Sequence, residues 1–252
     1  LLERGHQVRN LDLAPLDNRS IETIIASVTN FKAVLRACEG VDVVIHTASL
    51  VSQELGQPKA LYEVNVLGTE NIIRACHQQA VKKLIYTSSI DVVFDGTAIS
   101  NGDETLPYPS KHLDYYGTTK MIAEKAVISA NNIEGLATAS IRSAGIYGPH
   151  DKHRFPAVIS NTLKTGQYIR IGDGSAKFTH VYVENLAYAH ALLAEKLNLD
   201  APSAGESYFF SDYEASNFFD FFLPYLEALD IAYSNQNIPL LLAQAIANIL
   251  EF

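Results

Sequence analysis

The sequence predicts an α/β fold, a doubly wound parallel sheet, and three observations carry that reading. Short apolar runs alternate with longer amphipathic stretches through residues 1–148. Val41 to Thr47 is a nearly continuous apolar run, as expected of a strand buried on both faces. Strands alternating with helices need crossover connections, and crossovers make parallel sheets.

The elements follow in order. His6 to Leu13 reads as a strand, and Phe31 to Cys38 as a helix stopped near Gly40. After the Val41–Thr47 strand, Pro58 opens a long helix with Leu61, Val64, Ile72, Ile73 and Ala75 on its apolar face. Lys83 to Thr87 is the next strand, followed by a polar excursion from Asp95 to His112. A helix from about Tyr115 to Ala130 leads into the strand Leu136 to Ile141. Beyond Gly148 the pattern is less regular, with a turn at Gly172-Asp173-Gly174-Ser175 and a helix from Glu184 to Leu197. The organisation expected is a dinucleotide-binding and catalytic core over residues 1–148. Residues 149–252 then form mainly a substrate-binding region interleaved with it.

Composition narrows the function. At 252 residues and 48% hydrophobic the chain can bury a sizeable core. A net charge of −9 argues against binding nucleic acid through phosphate contacts. Cys38 and Cys76 have neither disulfide-framework nor metal-ligand spacing, so a reduced, cytoplasmic setting is the default. Both are read as small buried residues, and His46 as a core histidine. His150-Asp151-Lys152-His153 is read as a solvated loop rather than a metal site, and His180 as a residue on the substrate side. No apolar run reaches the roughly 18 residues of a membrane-spanning helix. The apolar stretch Ile238 to Phe252 suits core or dimer packing first and peripheral membrane contact second; Gln244, Asn248 and Glu251 mark a wet face.

Tyr116-Gly117-Thr118-Thr119-Lys120 is the sharpest pattern. Residues i and i+4 share a helix face, so the phenol and the ammonium reach one site, whereas Tyr115 has Thr119 at that spacing. A nearby cation favours the phenolate, which suits proton transfer with an alcohol or carbonyl. The strand Lys83 to Thr87 runs into Ser88 and Ser89, at the carboxyl end where parallel sheets carry their sites. A serine there can bind a substrate oxygen. Asp12 ends the first visible strand, where an acid accepts ribose hydroxyls and repels a 2′-phosphate.

These stretches in this order resemble an extended short-chain dehydrogenase/reductase: Asp42 to Ser49, Asn65 to Asn71, Tyr86 to Ser89, and Tyr116 with Lys120. Ile141 to Pro149 adds the strand and turn beyond the catalytic helix. Val92 to Gly96, Asn101 to Tyr108, Asp114 to Lys120, Phe178 to Ala187 and Asn217 to Phe221 are similar to the 3β-hydroxysteroid dehydrogenase/isomerase family, sterol-4α-carboxylate 3-dehydrogenases included. The resemblance covers essentially the whole chain. It implies a Rossmann-type fold and NAD-dependent interconversion of a secondary alcohol and a ketone on a steroid, sterol or other apolar hydroxy substrate. Tyr116 would be the acid/base, Lys120 would lower its pKa and hold the nicotinamide ribose, and Ser89, with Ser88 as fallback, would bind the substrate oxygen. Asp12 would take the adenosine ribose and favour NAD over NADP. Thr47, Ala48, Ser49, Asn65, Thr87 and Ser143 would line the cofactor.

Five departures qualify the resemblance. The chain opens on Leu1-Leu2-Glu3-Arg4-Gly5, which reads as a last helical turn, so the first strand and glycine-rich turn are expected upstream. The end too reads as cut. An interior piece of this kind is expected to bind NAD poorly. Ala26 to Asn30 replaces the Gly-Asp that relatives place beside adenine, and Ser143 stands where proline is common. Asp91 lies two residues after Ser89, where a carboxylate would oppose phenolate formation, and is expected to turn away into a hydrogen-bonded loop. Two rivals remain: a nucleotide-sugar epimerase or dehydratase using the same serine, tyrosine and lysine, and a catalytically idle dinucleotide-binding protein.

Overall fold

The computed structural model describes all residues except 19, 52–57, 153, 244 and 246–252. His153 of the loop cluster, and Gln244, Asn248 and Glu251 of the wet face assigned to the last stretch, therefore lie outside the described residues. In chain order the elements are β1 (Arg9–Asp12), β2 (Glu22–Ile25), α1 (Phe31–Ala37), β3 (Val43–His46), α2 (Pro58–Leu61), α3 (Gly68–Gln78) and β4 (Lys83–Ser89). Then come α4 (Tyr115–Ser129), β5 (Ala137–Ser143), β6 (Gly145–Tyr147), α5 (Arg154–Thr165), β7 (Gln167–Ile171), β8 (Lys177–Phe178), β9 (His180–Tyr182) and α6 (Val183–Lys196). The last are β10 (Glu206–Phe210), β11 (Ser216–Asn217), α7 (Leu223–Ala228) and β12 (Ser234–Ile238).

Two compact units result. The first comprises Leu1–Ser143 and Ala187–Phe210. Its central sheet has the order β10-β5-β4-β3, parallel throughout. β4 shows why the layers form where they do. Leu84 and Tyr86 face one side, packing with Val34 of α1, Ile72 and Cys76 of α3, and Ala123 and Val127 of α4. Ile85 faces the other and meets Ala194 of α6 and Leu197. With side chains alternating across a strand, one run thus serves two helical layers, the doubly wound arrangement the sequence predicts. β1 and β2 form their own parallel pair, and Leu11 of β1 packs on the α1/α3 layer. At the start of the chain, Leu2–Arg4 makes one 3-10 turn and Gly5 takes φ 80°, the left-handed conformation glycine tolerates best.

Cys38 and Cys76 are buried free thiols in the same core cluster. His46 is buried with Nε2 2.9 Å from Thr69 Oγ1, and burial holds its pKa down at about 3, so the ring stays neutral. Both behave as core residues, in line with the sequence reading.

The second unit comprises Ala144–Leu186 and Ser211–Phe252. The sequence shows it as irregular, whereas it contains α5, α7 and the pairs β6/β9, β7/β12 and β8/β11. Strands of two to five residues are too short to display a period, and side chains from separate stretches supply the core. Tyr168, Phe219, Phe222 and Leu226 are buried together, and His180 stacks on Phe221 at 3.7 Å between ring centroids. His180 is thereby a packed side chain with Nδ1 3.2 Å from an Arg154 nitrogen. Among the described residues no helix is long and apolar enough to cross a membrane, and no three His, Cys, Asp or Glu side chains gather as a metal site.

Candidate active site

α4 brings Tyr116 and Lys120 beside the carboxyl end of β4. Its start is fixed by Asp114, whose side chain accepts the Gly117 N–H at 2.7 Å as an N-cap. Gly117 is a requirement of packing. A Cβ there would lie 3.0 Å from the Asp91 carbonyl oxygen and 3.2 Å from His112 Cδ2, so the helix sits directly on the turn after β4. Tyr115 points outward and Tyr116 is half-buried, as the i, i+4 argument requires.

Lys120 is 2% exposed. Its Nζ donates to the Thr87 carbonyl oxygen at 2.6 Å and lies 4.3 Å from the Tyr86 ring centroid. Burial drives its pKa down to about 7, against the pull of Glu124 and Asp91. The Tyr116 phenol is pushed up to about 12, first by burial and then by Asp91, while hydrogen bonding with Ser89 and Ser49 pulls the other way. Here Lys120 spends itself on the Thr87 carbonyl, and burial outweighs it.

Ser89 ends β4 and is the serine brought to this corner. Its hydroxyl donates to Asp91 Oδ2 at 2.8 Å and receives the Asp91 N–H at 3.2 Å. Ser88 points away, its Oγ buried without a hydrogen-bond partner among the described residues. Asp91, in the 3-10 turn Ile90–Val93, does not turn away as expected. It faces Ser89, and burial raises its carboxyl above the usual range.

The remaining candidates divide into braces and exposed groups. Asn65 sits in a π turn, Tyr62–Leu67, between α2 and α3. Its Oδ1 accepts Ser49 Oγ at 3.1 Å and Leu50 N–H at 2.8 Å; its Nδ2 donates to Leu50 O at 3.0 Å and Thr119 Oγ1 at 3.1 Å. The amide thus ties the loop Thr47, Ala48, Ser49 after β3 to α4. Thr87 pairs its Oγ1 with His190 Nε2 at 2.7 Å, and Ser143 donates to the Ser88 carbonyl oxygen at 3.2 Å. Thr47 is exposed, with Ala48 and Ser49 half-buried. Asp12 is exposed at the end of β1, one oxygen accepting Ala14 N–H at 3.0 Å.

A feature missed from sequence lies under the site. Glu124 of α4 is fully buried and takes the Arg142 guanidinium on both oxygens, at 2.9 to 3.3 Å. Ser140 and Tyr108 donate to the same carboxylate at 3.0 and 2.7 Å. Tyr108 belongs to the polar excursion, which is also held by Glu104, accepting the Phe209 N–H at 2.9 Å, and by His112, with Nε2 2.9 Å from the Val92 carbonyl oxygen. The signal was faint: Glu124 lies at i+4 from Lys120, on the inner face of its helix.

Among solved structures, a UDP-glucose 4-epimerase from Thermus thermophilus matches with a TM-score of 0.77 over 94% of this chain and 80% of that one, at 24% identity. The Thermotoga maritima UDP-glucose 4-epimerase gives 0.79 over 94% and 79%, at 19% identity. At these identities the likeness concerns the Rossmann-type fold. Sequence relatives are nearer. A 3-beta-hydroxysteroid dehydrogenase from Mycolicibacterium neoaurum is 37% identical over 90% of this chain and 65% of that protein. The mouse sterol-4-alpha-carboxylate 3-dehydrogenase (decarboxylating) is 36% identical over 100% and 70%. The chain spans slightly less than two thirds of the length of the mycobacterial relatives it matches. The 3-beta hydroxysteroid dehydrogenase/isomerase family model matches residues 3–240, and these findings agree with the motifs from Asp42 to Phe221: the chain belongs to the 3-beta hydroxysteroid dehydrogenase/isomerase family.

Proposed function

We propose that the protein is an NAD-dependent oxidoreductase that interconverts a secondary alcohol and a ketone on a steroid, sterol or comparably apolar substrate. One observation carries the reading: Tyr116 and Lys120 lie one helical turn apart, at the end of β4 where Ser89 stands. The relatives' names supply the substrate class.

The residues fit NAD at its two ribose ends. Asp12 offers an exposed carboxylate at a strand end, suited to the adenosine ribose hydroxyls and hostile to a 2′-phosphate. Lys120, Tyr116 and the braced Thr47-Ala48-Ser49 loop suit the nicotinamide ribose. NAD, when bound, supplies the acceptor for the hydrogen and electron pair leaving the carbinol carbon. The protein moves the proton. Tyr116 takes it from the alcohol or returns it to the ketone, Ser89 meets the same oxygen, and Lys120 keeps α4 and β4 in place.

A nucleotide-sugar substrate is the weaker reading, and the second unit supplies the reason. Its cavity of about 290 Å³ is lined by Tyr147, Gly148, Pro149, Phe155, Tyr182 and Tyr225, with no cation for a diphosphate among these described residues. The test is a panel of 3β-hydroxysteroids, long-chain hydroxy acids and nucleotide sugars, followed by the fluorescence of reduced nicotinamide. Turnover of an apolar alcohol, abolished by Tyr116→Phe, is expected. Turnover of nucleotide sugars alone would replace the substrate class.

A further inference from the structure

β4 outruns one of its neighbours at the candidate site. β3 ends at His46, opposite Tyr86, whereas β5 accompanies β4 as far as Ser89. Among the described residues, no strand therefore flanks Thr87, Ser88 and Ser89 on the β3 side. A strand end held by one ladder opens more readily than one held by two.

Side chains make up the difference. Ser143 Oγ donates to the Ser88 carbonyl oxygen at 3.2 Å, and Lys120 Nζ to the Thr87 carbonyl oxygen at 2.6 Å. A third contact comes from α6, on the other face of the sheet from α4. Thr87 Oγ1 and His190 Nε2 lie 2.7 Å apart, and His190 is 6% exposed.

The register of α6 along β4 sets this contact apart. Ile85 clusters with Ala194, while Thr87 stands two residues after Ile85 and His190 four residues before Ala194. Two residues of strand advance about 6.6 Å and four of helix about 6 Å, so the two contacts are successive rungs of one seam. The rung away from the site is apolar. The rung at the site places two polar groups where an aliphatic pair would pack without losing hydration. Its bond has a direction, which an apolar contact lacks.

We propose that His190 is a positioning residue for the reaction: through the Thr87 hydroxyl it clamps, from the α6 side, the strand end that presents Ser89 and is tied to Lys120. The proposal rests on the reading of Tyr116, Lys120 and Ser89 above. Lys120 and His190 grip the same residue from opposite layers, one by its carbonyl and one by its hydroxyl. His190 needs no contact with substrate in this role.

The test uses His190→Leu, Thr87→Val, the two combined, and His190→Gln in the intact enzyme, well below its unfolding temperature. His190→Leu is expected to lose about tenfold to a hundredfold in kcat, the scale of a slightly misplaced group, with KM for the alcohol within about twofold. Thr87→Val should lose at least as much, and adding His190→Leu to it should cost nothing further, because both remove one contact. His190→Gln, whose amide can still bond the Thr87 hydroxyl, should recover most of the rate. In cofactor-free His190→Leu, amide hydrogen exchange should quicken at Ser88 and Ser89 and stay as it was at Leu84 and Ile85.

Losses that multiply in the double variant would overturn the proposal, since His190 would then act by a route other than Thr87. A full rate in His190→Leu, a loss confined to KM, or a glutamine no better than leucine would overturn it too. Exchange quickened evenly along β4 would do the same, leaving His190 a core residue like its neighbours. If His190→Leu does not fold, Thr87→Val removes the same contact and gives the kcat and exchange readouts. Full turnover by Tyr116→Phe would remove the underlying reading. An inactive Tyr116→Phe beside full turnover in His190→Leu and Thr87→Val would remove the clamp alone.

Discussion

Lys120 places its Nζ 2.6 Å from the Thr87 carbonyl oxygen, joining the first turns of α4 to the end of β4 just before Ser89. The joint is made by an amine that burial holds at about 7, well below its usual value. A lysine depressed in this way binds fewer protons folded than unfolded between about pH 7 and its ordinary value near 10.4.

The sign of the stability effect follows. Stability rises with pH across that window, is fully present above the unfolded value, and is lost as pH falls through about 7. Lys120→Met removes this linkage. Its melting temperature should exceed that of the parent protein below neutrality, and the two should converge at alkaline pH. Each kcal/mol corresponds to roughly 2–4 °C in a chain of this size. Activity should fall in the same variant. A melting temperature that tracks the parent at all pH values would refute the buried-amine account.

Arg142→Met leaves the Glu124 carboxylate buried without its partner. Breaking a buried pair from one side costs about 3–5 kcal/mol. Urea unfolding should show a loss of that order, and the double variant Arg142→Met/Glu124→Leu should recover most of it. Equal stability of the single variant and the parent would mean that the pair contributes nothing.

Tyr108→Phe tests one anchor of the polar excursion. The hydroxyl donates to Glu124 at 2.7 Å, and losing a hydrogen bond to a charged group costs about 1.5–3 kcal/mol. Hydrogen exchange in the segment 95–112 should quicken more than in β4. Unchanged exchange there would show that the excursion is held elsewhere.

Asp12→Ala should weaken NAD more than NADP, because in the proposed role the carboxylate would both attract the ribose hydroxyls and repel a 2′-phosphate. Titration calorimetry with each nucleotide measures the ratio. Equal losses would remove Asp12 from the site.

Asn65→Leu strands the Leu50 N–H and carbonyl and frees the loop from Thr47 to Leu50. Each buried polar group left unpaired costs about 1–3 kcal/mol. A lower urea midpoint and a higher KM for NAD are expected together. A lower midpoint with KM unchanged would show that the brace serves the fold alone.

The legible parts of the molecule were those that repeat. Val41 to Thr47 and Lys83 to Thr87 announce a parallel sheet because strands covered by helices on both sides must be apolar on both sides. Tyr116 and Lys120 stand out because four residues make nearly one helical turn. Periodicity shows which face a residue occupies but not what it meets there. Glu124 reads as one acid on a helix until β5 brings Arg142 against it. Asp91 reads as a loop acid until the turn after β4 curls its carboxylate back onto Ser89. β6 to β9 and α5 were unreadable for a related reason: their apolar partners, Phe219 to Leu226, come from far along the chain.

The close seat of Gly117 on the Asp91 carbonyl has a consequence for how this protein can vary. Any added side chain would act as a wedge between α4 and the turn, tilting Tyr116 away from Ser89 while most of the core stayed intact. A folded but idle protein could thus arise from one methyl group at a position with no chemistry of its own. Sequence drift at residue 117 is a sharper warning of lost activity than drift at many residues that line the cavity.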